Sequence, residues 1–107
     1  MNEAHIIAIN GAYITDYDAF HSEFKSILDF PDFYGANMNA WIDCMRDIHE
    51  DTGMTNLLLD PAQPLVLEIA STETIPAEIL NDLTSCTAFV NKYLHENNFA
   101  PIYLLLK

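Results

Sequence analysis

One stretch of the sequence, residues 30–46 (FPDFYGANMNAWIDCMR), holds the side chains best suited to chemistry. It opens with a Tyr-Gly turn and continues in a helical pattern. Asn39 and Asp43 are four residues apart in this pattern, which places them one turn apart on one side of a helix. Both lie away from the apolar stripe that includes Trp41. An exposed carboxylate with an amide beside it offers negative charge and hydrogen-bond acceptors to a cationic partner.

Arrangements typical of enzymes are missing from the sequence. It contains no glycine-rich phosphate loop, no GxSxG elbow and no HExxH motif. The run His49-Glu50-Asp51 is the one tight cluster of candidate ligands. Consecutive residues rarely converge on one metal ion, so this run is better explained as a solvated acidic loop. We therefore predict a protein that is not an enzyme and has no metal or cofactor, and an enzyme using His49 or His95 is the least favoured alternative.

The charge balance restricts the class of partner. Sixteen acidic residues against four basic ones give a formal net charge of −12 and a pI near 4.2. Nucleic-acid binding requires the opposite sign, because neutralisation of phosphates dominates that affinity. Anionic membrane surfaces are disfavoured for the same reason. The composition favours a positively charged protein partner, since such fields steer the association of oppositely charged surfaces.

Length and cysteine usage suggest one domain in a reducing compartment. A chain of 107 residues with half its residues hydrophobic has room for one core. Cys44 and Cys86 fit no metal-ligand spacing, so we expect free thiols in apolar surroundings. The N-terminal sequence lacks the basic flank and apolar run of a signal peptide, and no apolar stretch approaches the roughly 20 residues that span a bilayer. These features predict a soluble, cytoplasmic protein.

Hydrophobic periodicity predicts an α/β domain with a small three-stranded parallel sheet packed by about four helices. Three apolar runs are typical of strands, and the amphipathic segments between them are typical of helices. The strands are expected at residues 5–9, 65–69 and 102–106. The helices are expected at residues 16–29 after a cap at Thr15, at residues 38–48 after a cap at Asn37, from Pro76 through Leu83, and through residues 89–94. A long polar loop is expected at residues 49–63.

Some residues of the 30–46 stretch have structural explanations of their own. Gly35 suits a turn that needs a positive backbone φ angle, and Asn37 suits a helix cap. Trp41 lies on the apolar face of its helix and is assigned to the core. Tyr34 is equally suited to core or interface, and Asp47 is a peripheral acid of the helix face. No capping or packing reason requires an acid at Asp43, which makes it the first candidate for a contact with a partner.

The same stretch resembles the barstar family, small acidic inhibitors of secreted microbial ribonucleases. The resemblance rests on the order apolar residue, Pro, acid, two aromatics, Gly, any residue, Asn, followed by a helix, which stands here as residues 30–43. An Ile-Asn-Gly turn at residues 9–11, a Pro-Leu-Val-Leu-Glu strand at residues 64–68 and a final aliphatic strand agree with it. The resemblance covers nearly the whole chain and implies a single barstar-like domain over residues 1–107.

The resemblance also implies a function and a binding face. In this family the loop and second helix cover the active site of the ribonuclease, and acids take the place of RNA phosphates. By position, Asp43 is the principal acidic anchor. The other implied partner-binding residues are Phe33, Tyr34, Gly35, Asn37, Met38, Asn39, Ile42, Asp47 and, on the last helix, Glu96 or its neighbour His95. The implied partner is a basic nuclease toxin bound 1:1, with no cofactor, no nucleic acid and no membrane.

Three departures from the family pattern keep a second hypothesis open. Asn39 stands where the family often has a second acid, and Ile42 stands where Trp is common. The loop at residues 49–63 is longer than the family usually carries. The alternative is a protein–protein interaction or regulatory module that uses a barstar-like fold without inhibiting a nuclease.

Overall fold

The computed structural model describes residues 3–107, and its centre is one three-stranded parallel sheet. The strands are β1 (His5–Asn10), β2 (Leu65–Ala70) and β3 (Ile102–Leu106), in the order β1-β2-β3. The register aligns Ile7 with Leu67 and Leu67 with Leu104. The central strand is nearly wholly apolar because both its neighbours are strands and one of its faces is buried. The predicted parallel α/β sheet is confirmed.

The described residues contain three α-helices: α1 (Tyr17–Leu28), α2 (Met38–Met45) and α3 (Ala77–Glu96). Two short 3-10 turns, Gly11–Tyr13 and Thr72–Thr74, follow the first two strands. The prediction of about four helices was wrong because the segments expected at residues 76–83 and 89–94 are one helix. No Gly or Pro separates them, and the Thr84 hydroxyl donates to the Leu80 carbonyl (2.8 Å), as Thr does within a helix.

Two helix boundaries also differ from expectation. The cap of α1 is Asp16 and not Thr15, since the Asp16 carboxylate accepts from the Ala19 N–H at 2.8 Å. Helix α2 ends at Met45, about one turn earlier than predicted. The chain tightens there, with the Asp47 N–H donating to the Cys44 carbonyl at 3.1 Å, and Ile48 remains buried without being helical.

The core lies on one face of the sheet. Leu65, Leu67 and Ile69 of β2 are fully buried, while Ile6 of β1 and Tyr103 of β3, on the other face, are 60% and 55% exposed. An aromatic cluster of Phe20, Phe24 and Trp41 joins α1 to α2, with the rings of Phe24 and Trp41 edge to face at 5.6 Å. Trp41 is fully buried, as its place on the apolar stripe predicted.

The Asn10-Gly11 turn after β1 has a steric explanation. A Cβ atom at Gly11 would lie 2.3 Å from the Ala70 carbonyl oxygen, so only glycine lets the two strand ends approach this closely. The Asn10 side chain caps the following turn by accepting from the Ala12 N–H at 3.0 Å. Gly11 therefore allows the carboxyl ends of β1 and β2 to approach, and Asn10 stabilises the turn that follows β1.

Candidate functional site

The loop between α1 and α2 presents one large aromatic side chain to solvent. Asp29, in the left-handed region (φ 52°), ends α1, and Phe30 is buried against the core. The Tyr34 N–H donates to the Pro31 carbonyl at 2.9 Å, which closes a turn around Phe33. Phe33 is 77% exposed, so the loop holds a rigid apolar side chain in water. An exposed large aromatic in an ordered turn is typical of a residue that a partner covers.

Tyr34 anchors this loop from inside. Its hydroxyl lies 2.5 Å from the His21 Nδ1 atom of α1, and its ring contacts Phe30 with centroids 4.8 Å apart. Burial raises the pKa of Tyr34 above its usual range, and burial lowers the pKa of His21, with the Asp18 charge opposing that change. Tyr34 is half-buried and packs against the core, and its role at an interface stays a prediction.

Asn37 is the cap of α2, as its position predicted. Its Oδ1 atom accepts from the Ala40 N–H at 2.8 Å, and its Nδ2 atom lies 3.4 Å from the Gly35 carbonyl. The expectation of a positive φ angle at Gly35 was wrong: Ala36 carries it, with φ 51°. A side chain at Gly35 would instead crowd the Asn37 amide, since a Cβ atom there would lie 3.2 Å from Nδ2.

Helix α2 carries its polar candidates on the exposed side. Asn39 and Asp43 are exposed, while Met38 and Ile42 are half-buried at the edge of the core. Asp43 has a partner that the sequence reading missed. Arg46 donates from Nη2 to Asp43 Oδ1 at 2.9 Å, and its guanidinium lies 5.3 Å from the centre of the Tyr93 ring on α3. The i,i+3 spacing of the two residues was the signal available in the sequence.

The remaining candidates are less centrally placed. Asp47 is half-buried and accepts from the Thr52 hydroxyl at 2.8 Å, so it supports the following loop. Glu96 and His95 are both exposed on the last turn of α3. Within residues 3–107 no hydrogen bond or ion pair involves either of their side chains. The structure therefore brings together candidates of the α1–α2 loop and of α2.

A pocket of about 190 Å³ lies between the exposed loop and α2. It combines apolar walls with one carboxylate at its edge. The lining residues are Pro31, Phe33, Tyr34, Gly35, Ala40, Asp43, Cys44 and Met54. Burial raises the pKa of the Cys44 thiol to about 11, so this wall is a neutral thiol at physiological pH. Met54 comes from the long loop at residues 49–63, and no sequence pattern pointed to it.

Within residues 3–107, no cluster of three or more His, Cys, Asp or Glu side chains has the arrangement of a metal site. His49 is buried, its ring nitrogens facing the Asp60 carbonyl at 3.0 Å and the Ala100 carbonyl at 2.9 Å. It therefore ties backbone segments together. Among the described helices, none has both the length and the apolar character needed to cross a membrane.

Comparison with known proteins places the chain in a family. Residues 4–99 match the family model described as "Barstar (barnase inhibitor)". A shorter stretch is similar to the "Putative ribonuclease inhibitor YrdF" of Bacillus subtilis (strain 168), with 41% identity over 39 residues. That match covers 36% of this chain and 43% of the relative, less than half the length of either. The family match covers most of the chain, and the chain therefore belongs to the barstar family.

Proposed function

We propose that this protein inhibits a basic ribonuclease toxin by binding it 1:1 and covering its active site. The observation that carries the proposal is the exposed Asp43 carboxylate, held on α2 beside the exposed Phe33 ring and a shared pocket. Membership of a family described as barnase inhibitors and the name of the similar Bacillus protein support it. In this function the chain carries out no reaction and needs no cofactor.

The physical basis is charge mimicry of the nuclease substrate. A ribonuclease active site binds phosphates with cationic side chains, and the Asp43 carboxylate offers them the same charge and acceptor geometry. Phe33 adds rigid apolar area at low entropic cost, because its loop is already ordered by Tyr34 and Pro31. Asn39, Met38 and Ile42 surround the anchor and complete the contact surface. We place this activity in the cytoplasm of the cell that the inhibitor protects.

The test is RNA cleavage by purified barnase, with and without an equimolar amount of this protein. Wild type is expected to inhibit, and Asp43→Ala is expected to weaken binding by about 2–5 kcal/mol, roughly 30-fold to several thousand-fold. That magnitude comes from the barnase–barstar system itself, which belongs to this family, so it is a transferred value. The same assay is repeated with any nuclease encoded beside this gene.

The matched control is Glu73→Ala, which removes one exposed acid from the 3-10 turn after β2. It is expected to leave inhibition within a few-fold of wild type. Circular dichroism of both variants checks that the fold is retained. If wild type inhibits and Asp43→Ala inhibits equally well, the binding face lies elsewhere. If wild type inhibits none of these nucleases, the inhibitor function is wrong.

One observation favours a second candidate function. Asp43 is already paired with Arg46, and its neighbour Asn39 is uncharged. The candidate face therefore carries less negative charge than the net charge of −12 on the chain suggests. A protein–protein interaction module with a different partner would fit such a face. This candidate predicts that Asp43→Ala changes nothing in binding to its partner, and that no ribonuclease is inhibited.

A further inference from the structure

The long loop at residues 49–63 is folded against the helices. The Leu59 N–H donates to the Ile48 carbonyl at 2.9 Å, and the Asn56 N–H donates to the Leu28 carbonyl at the end of α1, also at 2.9 Å. The His49 ring, between two backbone carbonyls, stacks on Phe99 with centroids 4.9 Å apart. These contacts fix the base of the loop, so its middle residues have a defined place beside α2.

The middle of the loop places Met54 at the candidate binding face. Gly53 lies in the left-handed region at φ 79°, which turns the chain back immediately before Met54. The Thr52 hydroxyl donates to Asp47 at 2.8 Å and so ties this turn to the end of α2. Met54 is half-buried and packs against the core while also lining the pocket beside Phe33 and Asp43. The pocket is therefore built by the α1–α2 loop, by α2 and by the long loop.

The size and chemistry of the pocket suit one side chain of a particular kind. Its volume of about 190 Å³ is below the 300–1,000 Å³ of sites for small-molecule ligands, but it admits a single long side chain. The thioether of Met54 and the aromatic ring of Phe33 favour a flat, polarisable group between them. The carboxylate of Asp43 favours a cation. Asp43 uses Oδ1 for Arg46, while Oδ2 accepts no hydrogen bond from residues 3–107 and is left for a donor of the partner.

We propose that the long loop is a third segment of the partner-binding face, and that Met54 is a specificity-determining contact that, with Phe33 and Asp43, receives an arginine side chain of the partner. This inference rests on the proposed function and adds a selection rule to it. Arginine fits better than lysine because its planar guanidinium stacks on aromatic rings and forks onto a carboxylate, whereas an ammonium group keeps its water. The net charge of −12 supplies the matching long-range attraction.

The test uses N-acetyl-arginine methylamide as the probe and needs no nuclease. It is titrated into the protein labelled with ¹³C at its methionine methyl groups. The Met54 methyl signal is expected to shift and to saturate, while the signal of fully buried Met45 stays fixed and reports an intact core. The corresponding lysine amide is expected to bind several-fold more weakly. Asp43→Asn is expected to abolish the saturable shift.

Variants in the loop separate the pocket from the surrounding acidic surface. The Met54→Ala variant has no Met54 methyl signal. Probe binding to both loop variants is therefore followed through the backbone amide of Asp43. Met54→Ala is expected to weaken probe binding about two- to tenfold, the range for a sulfur–aromatic contact. Leu58→Ala is the matched control, since Leu58 is 61% exposed in the same loop but outside the pocket. It is expected to bind the probe like wild type.

Several outcomes overturn the proposal. They are equal binding of the arginine and lysine amides, an unsaturated shift spread over many acidic residues, and a Met54→Ala variant that behaves like Leu58→Ala. Failure of the proposed function is read separately, from the absence of ribonuclease inhibition by wild type. Inhibition that Met54→Ala retains in full would keep the inhibitor and remove the long loop from its face.

Discussion

At the scale of single residues, the charge of Asp43 is shared. The pair with Arg46 is exposed at both ends, and such pairs contribute about 0–1 kcal/mol to stability. It can therefore be exchanged for a stronger pair with a partner at little cost. Arg46 is in turn held over the Tyr93 ring, a second contact that does not depend on Asp43. In the proposed function, Asp43 is therefore pre-positioned by a contact that it can give up at little cost.

The contact between His21 and Tyr34 joins α1 to the loop that carries Phe33. His21 is buried on α1, and a pocket of about 270 Å³ beside it is lined also by Asp18, Ser22, Lys25, Tyr34 and Ala36. Tyr34 lines this pocket on one side and the candidate binding pocket on the other. His21 therefore contacts a residue that supports the candidate binding loop.

We predict that His21 makes the protein less stable in mild acid. Burial lowers the pKa of His21 in the folded state, so the unfolded chain takes up the proton more readily. The free energy of unfolding then has its full value above the ordinary histidine pKa of about 6.5 and falls as the pH drops below it. Urea unfolding at a series of pH values measures this slope.

The variant His21→Asn is expected to lose that part of the slope, since it cannot be protonated in this range. His95→Asn is the control, because His95 is exposed and its slope is expected to match wild type. The prediction fails if wild type and His21→Asn show the same dependence between pH 7 and mild acid. The slope is the quantity to compare, since the smaller Asn side chain also changes the packing around position 21.

Residue roles could be predicted from sequence where the cause is local. The cap at Asn37 and the burial of Trp41 follow from helix spacing, and both are present. The partner of Tyr34 and the position of Met54 depend on which segments meet in space, so nothing in the spacing of the 30–46 stretch could reveal them. Arg46 lay within reach of sequence reasoning, because i,i+3 pairs of opposite charge are expected to interact on a helix.

At the scale of elements, apolar runs predicted the positions of the strands well, whereas periodicity predicted the ends of the helices poorly. The strands are short and flanked by turns, so their limits are sharp. The two helices predicted within α3 left a gap between Leu83 and Phe89, where Thr84, Ser85 and Thr87 have weak helix propensity. Packing of one long apolar face overrides that weak preference: Leu83, Thr87, Val90 and Leu94 are all buried along the continuous helix.

The long loop is predicted to depend on His49. Its imidazole faces the carbonyls of Asp60 and Ala100 and stacks on Phe99, so it connects the loop to the segment before β3. His49→Ala removes the ring and is expected to lower the free energy of unfolding by about 1–3 kcal/mol. Urea denaturation followed by circular dichroism measures the change.

His95→Ala is the matched control, since it removes an exposed histidine from the end of α3 and is expected to stay within about 0.5 kcal/mol of wild type. Equal stabilities of the two variants would show that His49 is not needed for the loop. If His49→Ala is less stable and its Met54 also binds the arginine probe more weakly, the base of the loop supports the pocket that contains Met54.

At the scale of the whole molecule, net charge governs how fast a partner arrives. The chain has a net charge of −12 over 107 residues, so its electrostatic field extends well beyond the candidate binding face at low salt. The screening length falls from about 30 Å at 0.01 M salt to about 3 Å at 1 M. We predict that the association rate with an inhibited basic nuclease falls tenfold or more over this range, as measured by stopped-flow mixing.

The dissociation rate is expected to change much less, because contacts inside the pocket are shielded from salt once formed. An association rate that is independent of salt would mean that the partner does not respond to the overall charge. Asp43→Ala should then be compared with wild type at low and high salt. The two proteins are expected to show similar salt dependence, since one charge is a small part of the total.

The order of the strands also determines when the fold can form. Strands β1 and β2 are neighbours in the sheet but are separated in the sequence by α1, α2 and the long loop, so their pairing must close a large loop. The candidate binding face lies in the first half of the chain, yet α2 packs on α3, and His49 is held by Ala100. During synthesis the candidate binding residues therefore emerge from the ribosome well before the residues that hold them in place. If the proposed function is right, an interval follows in which the chain exists but does not yet protect the cell.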